Sequence, residues 1–368
     1  MIVGVLGGGQ LGRMLALAGR PLGIRFRFLE PATPAPVDDL GEIVRAAYDD
    51  SAALVRFGVN LDAVTYEFEN VPDASARYLD ESLPVRPPPA ALEFARDRVN
   101  EKEGFGRLDV PVAPWRAVDT RGDLDAAVGE LGLPSVLKTR RLGYDGKGQR
   151  VLRDPSDVDG AWEALGGWPL VLEAFVAFDR ELSIVGARSV RGDVAFHPLV
   201  ENEHRRGVLV RTEAPAPGVS AELQAAAEAY AGAVMASMDY VGVLALELFQ
   251  VGDRLLANEV APRVHNSGHW TQDGAVTCQF ENHVRAVAGL PLGDPSAVGY
   301  SVMINLLGDL PPLDAVLGEP LAHLHLYDKA PRPGRKIGHV NVQGPDREAV
   351  HAAAARIEAA LPETAGPA

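Results

Sequence analysis

The sequence predicts a protein that combines an α/β region with an α+β region, and three observations lead to this fold class. Strands and helices alternate over residues 2–68 around a glycine-rich turn, which is typical of a Rossmann-like βαβ unit. Strand patterns dominate residues 170–290, which favours an antiparallel sheet with helices on one face. The length of 368 residues is enough for two or three domains at roughly 100 to 200 residues each.

The N-terminal region, residues 1–88, is predicted to be the first domain. Its predicted elements are strands at 2–6, 24–29 and 63–68 and a helix at 10–18. The third strand ends in a polar group, Glu67, Glu69 and Asn70, at the edge where open α/β sheets place ligands. The segment PVRPPP at 84–89 continues neither a helix nor a strand ladder, because proline lacks the backbone N–H. We therefore predict the first domain boundary there.

The second region, residues 89–290, is predicted to have two parts: a small α/β subdomain over about 89–170 and an antiparallel sheet subdomain over about 171–290. The elements predicted there are strands at 135–138, 170–176, 181–188, 194–200, 208–212, 243–250 and 254–260 and helices at 155–165 and 221–238. Residues 291–368 are predicted to form a small C-terminal domain. Its predicted elements are strands at 300–306 and 339–342, a helix at 347–361 and a tail that should fray.

Charge and cysteine content narrow the class of protein. Lys and Arg number 35 against 50 Asp and Glu, and the net charge of −15 argues against a protein that binds nucleic acid or an anionic membrane. The start of the chain lacks a basic leader, and no window approaches about 18 uninterrupted apolar residues, so neither secretion nor membrane spanning is expected. The single cysteine, Cys278, fits a reducing compartment, and we expect a cytoplasmic protein.

The first motif is G-x-G-x-x-G at Gly7, Gly9 and Gly12, which follows a predicted strand and opens a predicted helix. With Glu30 at the end of the next strand, this context fits a dinucleotide-binding fingerprint. The free N–H groups of a helix N-terminus would equally suit a phosphate or ribose phosphate. A tight turn without a ligand is the third interpretation, and the motif alone leaves all three open.

The second motif is the loop KTRRLGYDGKGQ from Lys138 to Gln149, in which three glycines and four cations surround one aspartate. Glycines let backbone N–H groups approach a phosphate and the cations neutralise its charge, so the loop suits a cover over phosphates. It is not a Walker A loop, because the order G-x-x-x-x-G-K-[ST] is absent. The alternative is a mobile solvated turn, although such a turn has no need of an aspartate beside a tyrosine.

The third motif is a pair of strand carboxylates, Glu247 in VLALELFQ and Glu259 in RLLANEV. Two close carboxylates repel unless a cation lies between them, and Mg²⁺ takes carboxylates together with substrate phosphates. A two-residue turn at Gly252-Asp253 would pair Glu247 with Asn258, whereas a three-residue loop would pair it with Glu259. We favour metal binding over a solvent-facing pair.

The fourth motif is the segment PRVHNSGHWT at residues 262–271, directly after the second acidic strand. So many hydrogen-bonding side chains in ten residues suit a polar ligand site, with a structural turn as the alternative.

The fifth motif is a group of four cations, Lys329, Arg332, Arg335 and Lys336, in a stretch of eight residues, although the protein as a whole is acidic. This clustering suits a phosphate site, with ordinary surface charge as the alternative. Lysine is rare in the chain, and four of its five lysines lie in the second and fifth motifs.

Taken together, these segments resemble the 5-(carboxyamino)imidazole ribonucleotide synthase family of the ATP-grasp superfamily, which acts in purine biosynthesis. The resemblance rests on GGGQLG, TYEFENVP, RDRVNEK, VLKTRRLGYDGKGQ, EAFVAFDRELS, ENEH, LALELF, ANEVAPRVHNSGHWT and HLYDKAPRPGRKIGHV, from residue 4 to about 340. It implies an ATP-grasp fold with an N-terminal Rossmann-like substrate domain and a small C-terminal domain. The implied reaction is ATP- and bicarbonate-dependent carboxylation of 5-aminoimidazole ribonucleotide through carboxyphosphate, with release of ADP and phosphate.

The resemblance also implies roles for individual residues on the ATP side. ATP would be a co-substrate whose phosphates contact Arg98 and Lys138 and whose ribose contacts Glu181, with His204 against the nucleotide. The loop that closes over the phosphates would consist of Gly143, Tyr144, Asp145, Gly146, Lys147, Gly148 and Gln149. The adenine contacts would come from Glu173, Ala174, Phe175 and Val176. Glu247 and Glu259 would hold Mg²⁺, with Asn258 beside them. The family is usually a homodimer.

For the ribonucleotide, the resemblance implies contacts from Gln10, Glu67, Tyr144, Asp145, Lys329, Arg335 and Lys336. Arg263, His265 and Asn266 would lie near bicarbonate and the transfer centre, and they complete the catalytic set with Lys329 and Asp145. Asp145 would orient or deprotonate the attacking amine.

Three alternatives stay open beside this interpretation. A formate-dependent glycinamide ribonucleotide transformylase shares the fold and a similar N-terminal loop, but HNSGHWT fits the carboxylating family better. An NAD-dependent dehydrogenase would leave the second to fifth motifs without a role. A non-catalytic nucleotide sensor would have no need of the carboxylates and lysines of those motifs.

Overall fold

The computed structural model describes residues 1–141, 143 and 147–362. The strands are β1 (Ile2–Leu6), β2 (Arg25–Leu29), β3 (Glu42–Val44), β4 (Ala63–Tyr66), β5 (Trp115–Val118), β6 (Ser135–Thr139), β7 (Gln149–Leu152), β8 (Leu170–Ala174), β9 (Arg180–Arg188), β10 (Val194–Phe196), β11 (Val200–Arg205), β12 (Val208–Ala214), β13 (Gly242–Val251), β14 (Arg254–Ala261), β15 (Tyr300–Leu307), β16 (Ala322–Leu326) and β17 (Lys336–Gly344). The helices are α1 (Gln10–Gly19), α2 (Ser51–Gly58), α3 (Asp73–Asp80), α4 (Pro89–Ala95), α5 (Arg98–Arg107), α6 (Arg121–Leu131), α7 (Pro155–Val158), α8 (Ala161–Ala164), α9 (Ala221–Ser237), α10 (Thr271–Gly274), α11 (Gln279–Val287), α12 (Leu313–Leu317) and α13 (Arg347–Ala360). Of the tail that we expected to fray, residues 363–368 lie outside the described residues. None of the helices in the described ranges is long and apolar enough to cross a membrane.

The N-terminal region forms a parallel four-stranded sheet in the order β3-β2-β1-β4. This arrangement confirms the predicted βαβ opening, with the glycine-rich turn between β1 and α1. Parallel strands covered on both faces are continuously apolar, and β1 has the sequence IVGVL. The sequence patterns missed β3, α2 and α3, which are short elements of three to eight residues.

A second, antiparallel sheet has the order β5-β8-β6-β7, and we call it the small sheet. Helix α6 packs against it. The prediction of one helix over 155–165 is wrong, because α7 and α8 are separate helices. The residue before α8, Gly160, has a φ of 72°, a left-handed conformation that interrupts a right-handed helix.

The large sheet contains nine strands in the order β14-β13-β9-β11-β12-β15-β17-β16, with β10 also paired to β9. The single strand predicted over 194–200 is divided into β10 and β11, and Pro198 between them has no N–H for a ladder hydrogen bond. Strands β15, β17 and β16 continue this sheet beyond β12.

The central strands β9 and β13 are covered by helices on both faces, so the expectation of helices on one face only is wrong. Leu182 and Ile184 of β9 lie in the hydrophobic cluster that includes α9. Their neighbours Val185 and Ala187 lie in the cluster that includes α1 and α11. Burial on both faces explains why β13 reads as the nearly continuous apolar run GVLALELFQV.

A buried histidine, His283 of α11, joins three elements. Its Nδ1 accepts a hydrogen bond of 3.0 Å from the backbone N–H of Val243 in β13, so its Nε2 carries the proton and donates 2.8 Å to Thr65 Oγ1 in β4. The ring is fully buried, and burial lowers its pKa to about 3. His283 is therefore neutral in the folded protein at any pH at which the protein is ordinarily handled.

We expect His283 to make the folded protein sensitive to acid. In the unfolded chain its pKa is about 6.5, so below that pH only the unfolded state takes up the proton, and the unfolding free energy falls as pH decreases toward the folded pKa of about 3. One proton corresponds to at most about 1.4 kcal/mol per pH unit. Urea denaturation at several pH values between about 6 and 4 gives the unfolding free energy as a function of pH. This free energy should fall less steeply with decreasing pH in His283→Gln than in the parent, and the difference in slope should correspond to about one proton. Equal slopes for the two proteins would contradict the expectation.

Candidate active site

A cleft of about 720 Å³ lies between the small sheet and the large sheet and reaches the end of β4 in the N-terminal region. Its lining includes side chains from all three sheets, such as Glu67, Lys138 and Glu247. It also includes Lys336 from the C-terminal strands. Residues from every one of the predicted motifs, although far apart in sequence, therefore meet in one cavity.

The acidic pair of the third motif lies side by side in this cleft. A two-residue turn at Gly252-Asp253 joins β13 to β14, and the pairing shifts by one residue between Glu247 and Leu248. Asn258 is the extra residue of this bulge, and Glu247 therefore lies opposite Glu259. The two-residue alternative was right for the turn, and the bulge produces the carboxylate pairing expected from a longer loop.

Each carboxylate of the pair contacts a cationic or ionisable side chain. Glu259 Oε2 lies 2.8 Å from a guanidinium nitrogen of Arg98 in α5. Glu247 Oε1 lies 3.2 Å from Nε2 of His265. Burial alone would raise the pKa of Glu247, but the hydrogen bond and charge of His265 offset it and lower the pKa to about 2. Both carboxylates are thus suited to bind cations.

The donor set around the bulge fits Mg²⁺. Asn258 lines the cleft beside the two carboxylates, and its buried Oδ1 has no hydrogen-bond partner among the residues that the structure describes. Within 1–141, 143 and 147–362, no cluster of three or more His, Cys, Asp or Glu side chains has the spacing of a metal site. A complete protein cage is not needed, because Mg²⁺ is commonly held by one or two carboxylates with water and substrate phosphates.

On the side of the small sheet, a buried ion pair joins Lys138 of β6 to Glu173 of β8, with 3.0 Å between Nζ and Oε2. Burial alone would raise the pKa of Glu173, but the positive charges of the nearby lysines outweigh it and lower the pKa to about 2. Across the cleft, His204 Nδ1 contacts Glu181 Oε2, and Phe249 stacks on Phe178 with ring centroids 4.7 Å apart. His204, Glu181 and Phe249 therefore contribute polar and aromatic side chains to the cleft on the side of the large sheet.

The structure brings most of the predicted ATP-side residues together. Those that line the cleft are Arg98, Lys138, Gly143, Lys147, Gln149, Phe175, Glu181, His204, Asn258 and Glu259. The remaining described ones, Gly148, Glu173, Ala174 and Val176, are not lining residues. The predicted loop residues Tyr144, Asp145 and Gly146 lie outside the described residues.

The second motif enters and leaves its loop through a hairpin between β6 and β7. The N–H of Thr139 donates 2.7 Å to the carbonyl of Gly148. Gly148 has a φ of 73°, and a Cβ there would lie 2.5 Å from Thr139 Oγ1, so this position requires glycine. The loop is therefore anchored at the edge of the cleft.

The anion position of the glycine-rich turn is taken by the protein itself. Glu67 Oε1 accepts 2.5 Å from the N–H of Gly9, and Oε2 accepts 2.7 Å from the N–H of Gly12. A Cβ on Gly9 would lie 2.6 Å from Glu67 Oε1, so glycine is needed for this approach. Of the three interpretations of the motif, the structure favours a turn that positions a carboxylate over one that holds a pyrophosphate.

Next to that turn, Lys329 Nζ donates to Gln10 Oε1 and joins the fifth motif to the start of α1. Burial lowers the pKa of Lys329 to about 8, and this effect outweighs the negative charge of Glu67, which raises the pKa. Arg335 donates 3.1 Å to the carbonyl of Ala330, and Lys336 lines the cleft. Lys329, Arg335 and Lys336 lie near one another, because the charges of Arg335 and Lys336 also lower the pKa of Lys329.

The fourth motif lies where the N-terminal region meets the large sheet. Arg263 makes a two-pronged ion pair with Glu69, at 2.5 and 3.2 Å. His265 Nδ1 lies 2.9 Å from Ser267 Oγ, and Asn266 donates 3.1 Å to Asn305 Oδ1. These contacts hold the predicted transfer residues against the cleft.

Sequence reasoning missed Gln279, which lies behind the fourth motif. Its Oε1 accepts 2.9 Å from the N–H of His265, and its Nε2 donates 2.7 Å to the carbonyl of the same residue. The side chain is fully buried at the first position of α11. No local signal in the sequence could have identified it, because it acts on residues 14 positions away.

Three family profiles match the chain. The ribonucleotide synthetase preATP-grasp domain matches residues 1–96, the ATP-grasp domain residues 104–280, and the phosphoribosylaminoimidazole carboxylase C-terminal domain residues 301–353. The chain therefore has an ATP-grasp fold, as the sequence predicts.

Individual relatives are similar over nearly the whole chain. The N5-carboxyaminoimidazole ribonucleotide synthase of Pseudomonas aeruginosa is 51% identical over 361 residues, which cover 98% of this chain and 99% of the relative. The crystal structure of the N5-carboxyaminoimidazole ribonucleotide synthetase of Thermus thermophilus superposes with a TM-score of 0.95 at 52% identity, over 99% of this chain and 100% of that one. The synthase of Aspergillus clavatus in complex with ADP and 5-aminoimidazole ribonucleotide has a TM-score of 0.89 at 30% identity, over 97% and 96% of the two chains.

Proposed function

The chain belongs to the N5-carboxyaminoimidazole ribonucleotide synthase family, and we propose how its cleft carries out that family's reaction. The reaction is the ATP-dependent carboxylation of 5-aminoimidazole ribonucleotide in purine biosynthesis. The observation that carries the proposal is the meeting of Glu67, Lys138, Glu247 and Lys336 in one cleft. Reaction of a nucleotide with a second substrate requires such a site, with residues for both substrates in one cavity.

ATP lies between the small sheet and the large sheet in this proposal. Arg98 and Lys138 supply buried positive charge for the phosphates. Glu181 accepts from the ribose hydroxyls, and the backbone from Glu173 to Val176 contacts adenine. The exposed ring of Phe175 adds an apolar surface on that side.

Mg²⁺ is held by Glu247 and Glu259, with Asn258 Oδ1 as a third oxygen. The bound ion would supply charge neutralisation at the phosphates. The protein's own contribution is to hold the two carboxylates opposite each other, through the bulge at Asn258. Arg98 and His265, which contact these carboxylates, also line the cleft, where they would face the phosphates and the second substrate.

Bicarbonate is the carbon source in this proposal. One of its oxygens attacks the γ-phosphorus, the bond to the β-phosphate oxygen breaks, and ADP leaves with carboxyphosphate as the intermediate. Arg263, His265 and Asn266 hold this anion near the end of β4. The 5-amino nitrogen then attacks the carboxyl carbon, phosphate leaves, and Asp145 takes up the proton of the amine.

The ribonucleotide binds at the N-terminal side of the cleft, near Gln10, Glu67, Lys329, Arg335 and Lys336, with Tyr144 and Asp145 from the loop. Lys329 bridges to Gln10 at this end, which supports a site built jointly by the first and last regions of the chain. Exclusion of water matters here, because carboxyphosphate hydrolyses readily. Closure of the segment from Gly143 to Gln149, which the family resemblance implies, would serve that purpose.

A coupled assay of ADP release tests the proposal. We expect release that requires both bicarbonate and 5-aminoimidazole ribonucleotide, with no stimulation when formate replaces bicarbonate. Release that depends on formate and glycinamide ribonucleotide would instead assign the transformylase reaction and contradict the proposal.

We also infer a cytoplasmic homodimer. The lone cysteine, Cys278, supports a reducing compartment. The dimer follows from the family resemblance alone, and light scattering of the purified protein tests it.

A further inference from the structure

Lys102 of α5 is a buried lysine that takes no part in the proposed contacts with either substrate. Its side chain is 1% exposed, and the residue is not part of the cleft lining. A buried ammonium is costly unless it is paired, so its partners indicate its role.

The partners of Lys102 lie on both sides of the cleft. Its Nζ donates 3.0 Å to the carbonyl of Asn258, at the bulge of β14 in the large sheet. The same Nζ lies 3.5 Å from Oε1 of Glu173, at the end of β8 in the small sheet. One ammonium thus joins the strand that carries Glu259 to Glu173, the first residue of the segment proposed to contact adenine.

Two neighbours on α5 reinforce this connection. Glu101 Oε1 accepts 2.6 Å from the N–H of Val260, directly after the acidic pair. Arg98 contacts Glu259 through its side chain, and its N–H donates 3.0 Å to the carbonyl of Arg140 at the start of the closing loop. The first turns of α5 therefore lie between the two sheets, and Lys102 is a buried side chain there that contacts both.

We propose that Lys102 is a positioning residue for the nucleotide, which sets the separation of the two surfaces that enclose ATP. It does so through Glu173, whose other oxygen pairs with Lys138, and through the carbonyl of Asn258. A compact ammonium can contact both partners in this buried space, where a planar guanidinium would need more room. The proposal rests on the ATP site described above.

Lys102→Met removes the charge at nearly constant side-chain length. We expect the KM for ATP and the Kd for ADP to rise about 10-fold or more, with kcat within about threefold, because the lost interaction acts on bound nucleotide in ground and transition states alike. The preference for ATP over GTP should fall as well, since the adenine-contacting segment is no longer held in place. The Kd for 5-aminoimidazole ribonucleotide should stay at the parent value. Calorimetric titration and steady-state kinetics measure these quantities.

Arg107→Met is the matched control, since it removes an exposed cation from the same helix. It should behave as the parent protein in every titration. Lys102→Gln also removes the charge, and it replaces Lys102→Met in the same titrations if that variant proves too unstable to purify. It should also bind ADP about 10-fold or more weakly, because the ion pair with Glu173 is still missing.

The outcomes separate this proposal from the proposed function. If the parent protein does not bind ADP, the ATP site itself is wrong. If the parent binds ADP and the Lys102 variants bind it equally well, the role of Lys102 is overturned. Equal losses of affinity for ADP and for the ribonucleotide would also overturn it, because they would show a general structural role.

Discussion

Glu259→Gln is expected to lower ATP turnover by roughly 10²-fold or more while leaving the fold intact. The substitution removes one charge from the acidic pair with little change of shape, and it leaves an oxygen that still accepts from Arg98. Charge stabilisation by a bound metal ion is worth several kcal/mol, and about 1.4 kcal/mol corresponds to a tenfold change in rate. Turnover is measured as ADP release over a range of Mg²⁺ concentrations.

The control for this substitution is Glu203→Gln, which neutralises an exposed carboxylate on β11, another strand of the large sheet. It should turn over at the parent rate. The apparent Mg²⁺ requirement should rise in Glu259→Gln only, and a calorimetric titration of ADP with and without Mg²⁺ should show that the metal no longer strengthens binding. Parent turnover at saturating Mg²⁺ would remove Glu259 from the metal site.

Asp145→Asn is expected to lower carboxylation by roughly 10²-fold or more, the effect typical of losing a positioned general base. Asp145 lies outside the described residues, so the expectation rests on its place in the sequence. A carboxylate that faced ATP would oppose ATP binding by like-charge repulsion. Its presence in a cationic loop is therefore better explained if it faces the amine of the second substrate. ATP affinity should therefore be unchanged or slightly higher, while product formation under saturating substrates falls.

Lys147→Ala provides the opposite pattern in the same loop. Lys147 lines the cleft, and removal of a cation that faces phosphate should weaken nucleotide affinity. The two variants are compared by ATP titration and by product formation. If Asp145→Asn carboxylates at the parent rate, the residue only forms a turn, and the proton acceptor must be another group.

The acidic pair shows how far the sequence alone could lead. The two strands and the carboxylates are recognisable from their local patterns, and the two-residue turn at Gly252-Asp253 is one of the two alternatives that the sequence leaves open. The bulge at Asn258 was not predictable, because its supports come from Lys102 and Glu101, more than 150 residues earlier in the chain.

The glycine-rich turn shows the same limit. Its spacing correctly predicted a strand, a tight turn and the start of a helix. The group that occupies its N–H donors is Glu67, a residue 55 to 58 positions away whose approach depends on the pairing of β1 with β4. Patterns within a short window predict elements well, whereas contacts between distant segments decide which group each element meets.

The packing of α1 against α11 determines when the N-terminal region becomes complete during synthesis. Leu11 and Leu15 of α1 share a hydrophobic cluster with Phe280 and Val284 of α11, so the part of their apolar surface that faces α11 is covered only after residue 287 has been made. At roughly 5 to 20 residues per second, the interval between the ends of the two helices is about 13 to 54 seconds. Throughout that time the nascent chain exposes an apolar helix face near its N-terminus, where a chaperone that binds apolar segments would protect it from aggregation.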